Sequence, residues 1–474
     1  YRFNLRYKMF NEEQIKHQTE LCNKIDKILF DKYGYSPKAY VHTYGCQQNV
    51  SDSEKIKGLL TMMGYSFTET IADADFVLFN TCAIREGAET KIFGNVGELK
   101  LRKKQNPNII ISLCGCMVQQ DRIIKKVQKS YPFVDLIFGT HMIHSFPELL
   151  YSILQDKKKI ARNDDGAGTI PEYIPTYRND NIKVNVPIMN GCNNFCTYCI
   201  VPYVRGREMS REKDDIINEV KELVKNGCKE ITLLGQNVNS YGSNLIPQIT
   251  FSQLLIELNA IDGDFIIRFL TSHPKDCTFD LIDTIADCQK VCKHIHLPIQ
   301  SGSNEILKLM NRGYTVEKYI ELFEYARKKI PDITFSSDII VGFPSEEYTD
   351  FLKTVELVKK IQFNQIFTFI YSKRPGTRAA LMEDNISENE KSIWLRELLL
   401  VQSEIGLALN KNLIGNETMV LVDGYGKSVD GCLTGRTYNN TIVDFIAPKS
   451  LIGSFVKVKI TKATPFATFG EIII

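Results

Sequence analysis

Residues 184–211 read VNVPIMNGCNNFCTYCIVPYVRGREMSR: a short apolar strand running into a loop with Cys192, Cys196 and Cys199 in a C-x3-C-x2-C spacing. After Arg211, the side chains Ile216, Ile217, Val220, Leu223 and Val224 fall on one face of a predicted helix, with Gly227 placed to stop it. Five further strand candidates follow, EITLL (230–234), FIIRFL (265–270), HIHLPI (294–299), FSSDII (335–340) and FNQIFTF (363–369), with amphipathic stretches between them. Six such strand–helix units predict a partial parallel barrel over 182–411. In such a barrel the loop after the first strand lies on the face where cofactors are held.

The same alternation runs through 38–154: AYVHTY, then a helix over 52–63, FVLFN, a helix over 86–104, IIISL, a helix over 119–129, and LIFG. It predicts a parallel-sheet domain, preceded by a helical extension over 1–37 and followed by a linker over 155–181 rich in Lys, Asp, Asn and Gly. Over 412–474 the period changes to two. Val456, Val458 and Ile460 alternate with lysines, and Asp423-Gly424 predicts a hairpin turn, so this part reads as a small β-barrel. The fold class is therefore α/β with a C-terminal β-barrel.

At 474 residues the chain is too long for one core. Its 43% hydrophobic and 24% charged content is that of a soluble globular protein, without a long apolar run or a leader pattern, and implies a cytoplasmic location away from membranes. A net charge of +2 points to no partner by itself. Thirteen cysteines without an export signal suggest metal or redox chemistry rather than disulfides.

Three thiolates on one loop can cap three corners of a four-iron cluster and leave one iron open to a small chelating molecule with an amine and a carboxylate, such as S-adenosylmethionine (SAM). Zinc would want a fourth ligand, and neither His nor Cys follows for many residues. In the first domain Cys46 (TYGCQQN), Cys82 (NTCAIR) and Cys116 (CGCMVQ) each follow a different strand. Parallel strands bring such loops to one edge, so these three read either as a second cluster site or as isolated loop cysteines. Cys22, Cys114, Cys228, Cys277, Cys288, Cys292 and Cys432 read as packing or surface thiols, with Cys288 and Cys292 four apart on a predicted helix. Polar motifs end the later strands: GQNVNSY (235–241), TSHP (271–274), QSGS (300–303), SSDIIVGFP (336–344) and YSKRPGT (371–377). Gln236, Asn237, Ser301, Ser337 and Asp338 are the candidates from this set for holding SAM.

The C-x3-C-x2-C loop, with Tyr198 before its last cysteine, resembles the cluster motif of the radical SAM superfamily. GCQQN, NTCAIR, GCMVQ, NGCNNFCTYC, GQNVNSYG, QSGS and GRTYNN in this order resemble the methylthiotransferase family from about residue 38 onward. NTCAIRE, RGREMSR and YSKRPGTRAA are most similar to its tRNA branch.

The resemblance implies two 4Fe-4S clusters, one on Cys192, Cys196 and Cys199 and an auxiliary one on Cys46, Cys82 and Cys116. It also implies a C-terminal TRAM domain and two SAM molecules per product. The implied substrate is N6-isopentenyladenosine at position 37 in a tRNA anticodon loop, methylthiolated at C2. A flavodoxin- or ferredoxin-like electron donor, a sulfur source and a monomeric state go with it. The alternatives are action on threonylcarbamoyladenosine in tRNA or on a ribosomal-protein aspartate and, outside enzymes, a metal-stabilised RNA-binding module. The chain departs from the family at Gln48, at GFPSEE (342–347) in place of a Gly-Glu-Thr ending, and at Thr441, where Arg is frequent. Basic stretches at Lys100, Arg102, Lys103 and Lys104, at Lys373, Arg374 and Arg378, and at Lys457, Lys459 and Lys462 are candidate RNA contacts.

Overall fold

A computed structural model describes residues 12–84, 86–163, 172, 174–178, 181–426 and 431–473. In chain order the first elements are α1 (Glu12–Tyr33), β1 (Lys38–Thr43), α2 (Gln47–Met62), β2 (Ser66–Phe67), β3 (Phe76–Thr81), α3 (Glu86–Gln105), β4 (Ile110–Gly115), α4 (Asp121–Ser130), β5 (Leu136–Phe138), α5 (Phe146–Asp156) and β6 (Ile160–Arg162). The strands form one parallel sheet in the order β2-β1-β3-β4-β5-β6. Every residue of β3 and β4 is buried, because helices cover both faces of an all-parallel sheet.

One face packs Phe76, Leu78, Ile110 and Cys114 against helical residues such as Ile25, Leu60 and Phe146. The other packs Val77, Phe79, Ile111 and Leu113 against Ile92, Val96 and Val127. Within the span read as a linker, Ile160–Arg162 is instead the sixth strand, paired in parallel with β5. Three residues are too short for a periodic signal, and β5 supplies the pairing that makes them a strand.

The chain continues through β7 (Lys183–Pro187), β8 (Met189–Asn190), α6 (Val201–Arg205), β9 (Met209–Ser210), α7 (Lys213–Lys225), β10 (Glu230–Leu234), α8 (Phe251–Asn259), β11 (Ile266–Phe269), α9 (Phe279–Asp287), β12 (His294–His296), α10 (Asn304–Leu309), α11 (Val316–Lys329), β13 (Thr334–Val341), α12 (Tyr348–Ile361), β14 (Gln365–Ile370) and α13 (Glu388–Lys411). Two compact units result. The first is residues 1–179 with 189–193 and 199–209; the second is 180–188, 194–198 and 210–474.

In the second unit β11-β10-β7 and β12-β13-β14 are parallel three-stranded sheets, joined by a parallel bridge between Ile267 and Val291 into one six-strand arc. Capping boxes start α8 (Thr250 with Gln253) and α13 (Ser387 with Glu390), satisfying backbone N–H groups that would otherwise lack partners. Cys288 and Cys292 are not on a helix: Cys288 caps the end of α9 and Cys292 is buried before β12.

The last elements, β15 (Glu417–Tyr425), β16 (Cys432–Thr437), β17 (Ile442–Ile446), β18 (Phe455–Ala463) and β19 (Thr468–Ile472), close a five-strand barrel around Val420, Leu433, Val443, Phe445 and Ile460. Asp423-Gly424 makes no hairpin turn. It lies inside β15, where the register against β16 shifts between Val422 and Gly424, and Lys183 holds the Asp423 carboxylate at 2.7 Å. The end of β16 and the turn after it lie against the arc: the Arg268 guanidinium donates to the Thr437 carbonyl at 2.9 Å, and the Asn439 amide donates to the Asp332 carbonyl at 2.7 Å.

The turn after β13 puts one departure from the family pattern, Ser345, at a strained position. Ser345 holds φ at +70°, in the left-handed region where a Cβ is strained by roughly 1–2 kcal/mol. Ser345→Gly is therefore expected to stabilise the chain by about 0.5–1 kcal/mol after the entropy cost of glycine, read as a higher unfolding midpoint.

Beside it, burial pushes the Glu346 carboxyl up to about 7, against the opposing pull of the Gly342 and Phe343 N–H groups. A carboxyl raised above its unfolded value stabilises fully below about pH 4.5 and loses that contribution as pH rises through about 7. Wild-type stability relative to Glu346→Gln should thus fall across that window; a difference independent of pH would contradict the assignment.

Candidate cluster and cofactor sites

β1, β3 and β4 are neighbours in the first sheet, and Cys46, Cys82 and Cys116 each lie just past the end of one of them. Two glycines set how closely these loops approach. Gly45 has φ +114°, and a Cβ there would stand 2.6 Å from the Cys82 Cβ and 2.7 Å from its Sγ. Gly115 has φ +101°, and a Cβ there would stand 2.4 Å from the Thr81 carbonyl oxygen. Each precedes a cysteine, so each lets a thiol-bearing loop press on its neighbour, Gly45 on the Cys82 side chain and Gly115 on the Thr81 backbone.

Cys46 and Cys116 both direct their thiols to the Asn49 side-chain oxygen, at 3.7 and 3.5 Å. Asn49 is itself pinned, its amide donating to the Tyr44 and Thr81 carbonyls at 3.0 and 2.9 Å. Cys114, two residues before Cys116, points into the opposite core. Burial pushes the Cys116 thiol up to about 12 although the Arg205 cation opposes it. The loop edge thus presents three soft sulfur donors on adjacent strands with a cation beside them, a donor set that fits an iron–sulfur cluster. Among the described residues no three His, Cys, Asp or Glu side chains gather tightly enough for one metal ion.

Arg205 was missed in the sequence. It ends the short α6 after the apolar run IVPYV, is 4% exposed, and donates through Nε to the Cys116 Sγ at 3.1 Å. Its Nη2 donates to Asn49 Oδ1 at 2.9 Å and to Asp52 Oδ2 at 2.7 Å. A charged residue closing an apolar run was the only available signal.

In the second unit Cys196 and Tyr198 meet another buried arginine. Arg312 Nη1 donates to the Cys196 Sγ and to the Tyr198 hydroxyl, both at 3.4 Å, while its Nη2 binds the Pro298 carbonyl at 2.7 Å. The segment is held by backbone bonds from Thr197 to Met310 and from Ala379 to Thr197, at 3.0 and 2.8 Å. Cys192 and Cys199 belong to the first unit, where the Cys192 N–H donates to the Gly206 carbonyl at 3.1 Å.

Around the carboxyl ends of the arc's strands, buried polar atoms stand without a protein partner: Gln236 Oε1, Asn237 Oδ1 and Asn239 Oδ1 after β10, Ser272 Oγ and His273 Nε2 after β11, and Tyr371 Oη and Ser372 Oγ after β14. Burial, with Arg312 and Lys275 nearby, pushes the His273 imidazole down to about 2. His273 is therefore neutral. Its Nδ1 accepts from the Lys275 N–H, which leaves the proton on the unpartnered Nε2. Unpaired buried polar groups cost about 1–3 kcal/mol each, so a set of them on one rim fits a polar ligand such as SAM.

Of the residues expected there, Gln236 and Asn237 are on this rim, with the Asn237 amide donating to Asp276 at 2.7 Å. Asp338 shares a sheet face with His296, at 3.5 Å, and with Phe367. Ser337 faces the other way. Its hydroxyl donates to the Leu297 carbonyl and accepts from the Ile299 N–H, at 3.1 and 2.9 Å. Ser301 is fully buried and accepts from the Ser303 N–H at 3.2 Å. Both hydroxyls are engaged by neighbouring backbone groups. Ser272, His273, Tyr371, Ser372 and Arg312 were not among the residues expected there, though TSHP and YSKRPGT carry four of them.

Residues 186–358 match the radical SAM superfamily, residues 38–139 match the uncharacterized protein family UPF0004, and residues 411–473 match the TRAM domain. The chain is 51% identical over 434 residues to the tRNA-2-methylthio-N6-dimethylallyladenosine synthase of Clostridium botulinum (strain Alaska E43 / Type E3), covering 92% of this chain and 95% of that one. It is 47% identical over 462 residues to the synthase of that name from Thermoanaerobacter pseudethanolicus, covering 98% of each. Among solved structures, the radical S-adenosylmethionine methyltransferase TsrM from Kitasatospora setae aligns with a TM-score of 0.52 over 73% of this chain and 77% of its own, and at 12% identity the likeness concerns the fold alone. No helix among the described residues is long and apolar enough to cross a membrane. With three domains matched in order and half of its residues shared with full-length relatives, the chain belongs to the family of tRNA-2-methylthio-N6-dimethylallyladenosine synthases, radical SAM enzymes with a TRAM domain.

Proposed function

We propose that this chain is a tRNA methylthiotransferase that converts N6-isopentenyladenosine at position 37 to its 2-methylthio form. The observation that carries this reading is the pair of cysteine triads, one on three adjacent strand ends and one in the C-x3-C-x2-C loop, in a chain of this family. When bound, SAM on one cluster supplies a carbon radical strong enough for the unactivated C2–H bond, and the other cluster supplies sulfur.

The residues then divide the work. Cys192, Cys196 and Cys199 would hold the SAM-binding cluster, with Arg312 and Tyr198 beside Cys196. Gln236, Asn237, Ser272 and the His273 Nε2–H would take the polar groups of SAM. Cys46, Cys82 and Cys116 would hold the sulfur-donating cluster, and a second SAM would give the methyl group. A single-stranded anticodon loop lets its bases splay out toward such a site at little cost.

The basic stretches contribute unevenly. Lys457 pairs with Glu417 at 2.6 Å and Lys103 with Asp135 at 2.8 Å, whereas Lys100, Lys104, Lys459 and Lys462 are exposed and suited to phosphates. A cytoplasmic location, a monomeric state, a flavodoxin- or ferredoxin-like electron donor and a separate sulfur source complete the proposal.

The two triads should separate experimentally. A Cys46→Ala, Cys82→Ala, Cys116→Ala variant, shown intact by circular dichroism, should bind about half the wild-type iron, still cleave SAM when reduced, and form no methylthio product. A Cys192→Ala, Cys196→Ala, Cys199→Ala variant should lose SAM cleavage. Retained methylthiolation in the first, or 5′-deoxyadenosine from the second, would overturn the assignment.

Substrate choice is checked by mass spectrometry of tRNA nucleosides from a deletion strain, which should accumulate the isopentenyl nucleoside and recover the methylthio form on complementation. Equal turnover of unmodified tRNA, or activity on a ribosomal-protein peptide alone, would contradict the proposal.

A further inference from the structure

The Arg205 guanidinium is built into the first unit with more care than an ion pair requires. Three of its nitrogens have fixed acceptors: Nε on the Cys116 Sγ at 3.1 Å, Nη2 on Asn49 Oδ1 at 2.9 Å and Asp52 Oδ2 at 2.7 Å, and Nη1 on Asn190 Oδ1 at 3.4 Å. Asp52 and Arg205 are both almost wholly removed from solvent, with side chains 9% and 4% exposed. A buried pair of this kind gives little net stability, because desolvation offsets the attraction.

A neutral thiol is also a poor reason for such an arrangement, since its sulfur accepts only weakly. A thiolate is a different acceptor: charge-assisted hydrogen bonds are roughly twice as strong as neutral ones. The geometry thus makes sense if Cys116 is a thiolate with its Sγ held in a cluster and the Nε–H aimed at that sulfur. Asn49 fixes the aim. Its amide is tied to the Tyr44 and Thr81 carbonyls, so its oxygen turns to Arg205, and the guanidinium plane is set by Asn49 and Asp52 together.

We propose that Arg205 is a positioning residue for the auxiliary cluster: through its Nε–H···Sγ bond it orients Cys116 and withdraws charge from that ligand, raising the cluster's reduction potential. This rests on the assignment of Cys46, Cys82 and Cys116 as cluster ligands. Hydrogen bonds to ligand sulfurs and local net charge are the protein's main means of setting such potentials. Arg205 and Asp52 pull in opposite directions, the cation favouring the added electron and the carboxylate opposing it.

The test uses the full-length Cys192→Ala, Cys196→Ala, Cys199→Ala chain, reconstituted anaerobically so that only the auxiliary cluster is present, with its midpoint potential read by redox titration of the electron paramagnetic resonance signal. Arg205→Gln should lower the reduction equilibrium constant about tenfold, a shift of about 59 mV for one electron. Arg205→Lys, which keeps the charge but not the aimed donor, should shift it less. Asp52→Asn should move the potential upward.

Opposite signs for Arg205→Gln and Asp52→Asn separate an electrostatic role from simple loosening of the site, which would move both the same way. Unchanged potential in Arg205→Gln with full iron content, or equal-signed shifts, overturns the proposal. Should Arg205→Gln take up no iron, Arg205→Lys and Asp52→Asn decide by the same signs. Absence of iron in the parent triple variant would instead refute the cysteine assignment itself.

Discussion

A parallel strand can rejoin its sheet only after the chain has crossed back over it, so every loop that follows a strand opens at the same edge. That constraint acts twice in this protein. It brings Cys46, Cys82 and Cys116, spread over seventy residues of chain, to the ends of three neighbouring strands. It also gathers GQNVNSY, TSHP and YSKRPGT around one rim of the six-strand arc. Helices covering both faces keep these edges as the polar openings of otherwise apolar layers, as the fully buried β3 and β4 require.

Placing sulfur and polar groups in such openings has a cost, and the structure shows how it is offset. Near Cys116 the acceptors and donors are nearly all paired, through Asn49, Asp52 and Arg205. On the rim of the arc the opposite holds, since Gln236, Asn237, Ser272, His273 and Tyr371 keep buried atoms without protein partners. Unpaired buried groups fit a polar ligand, whereas donors pinned in advance fit a set of metal ligands. Arg312 joins the two patterns, binding backbone carbonyl and thiol at once.

The C-terminal barrel shows how local signals yield to pairing. Asp423-Gly424 has the composition of a tight turn, but β15 continues through it because β16 pairs on both sides of the bulge and Lys183 takes up the carboxylate. Ile160–Arg162 becomes a strand for the same reason, since β5 offers an unpaired edge. Ser345 accepts a left-handed backbone that glycine would take without strain, because the Gly342 and Phe343 N–H groups converge on Glu346 next to it.

Periodicity and the order of motifs were enough to read the parallel sheets, the C-terminal barrel and the family, and spacing was enough to single out six candidate cluster cysteines. These are properties of neighbours along the chain, where side-chain period and loop chemistry are written directly. The orientation of Ser337 away from the rim, the packing of Ser301, and the partners of Arg205 and Arg312 were decided only by the tertiary structure. Whether a strand residue faces the rim side or the helices turns on register, which one residue reverses. Whether an arginine is a surface charge or a buried donor to sulfur depends on side chains up to 156 positions away, as Asn49 is from Arg205. No local pattern encodes a contact of that separation.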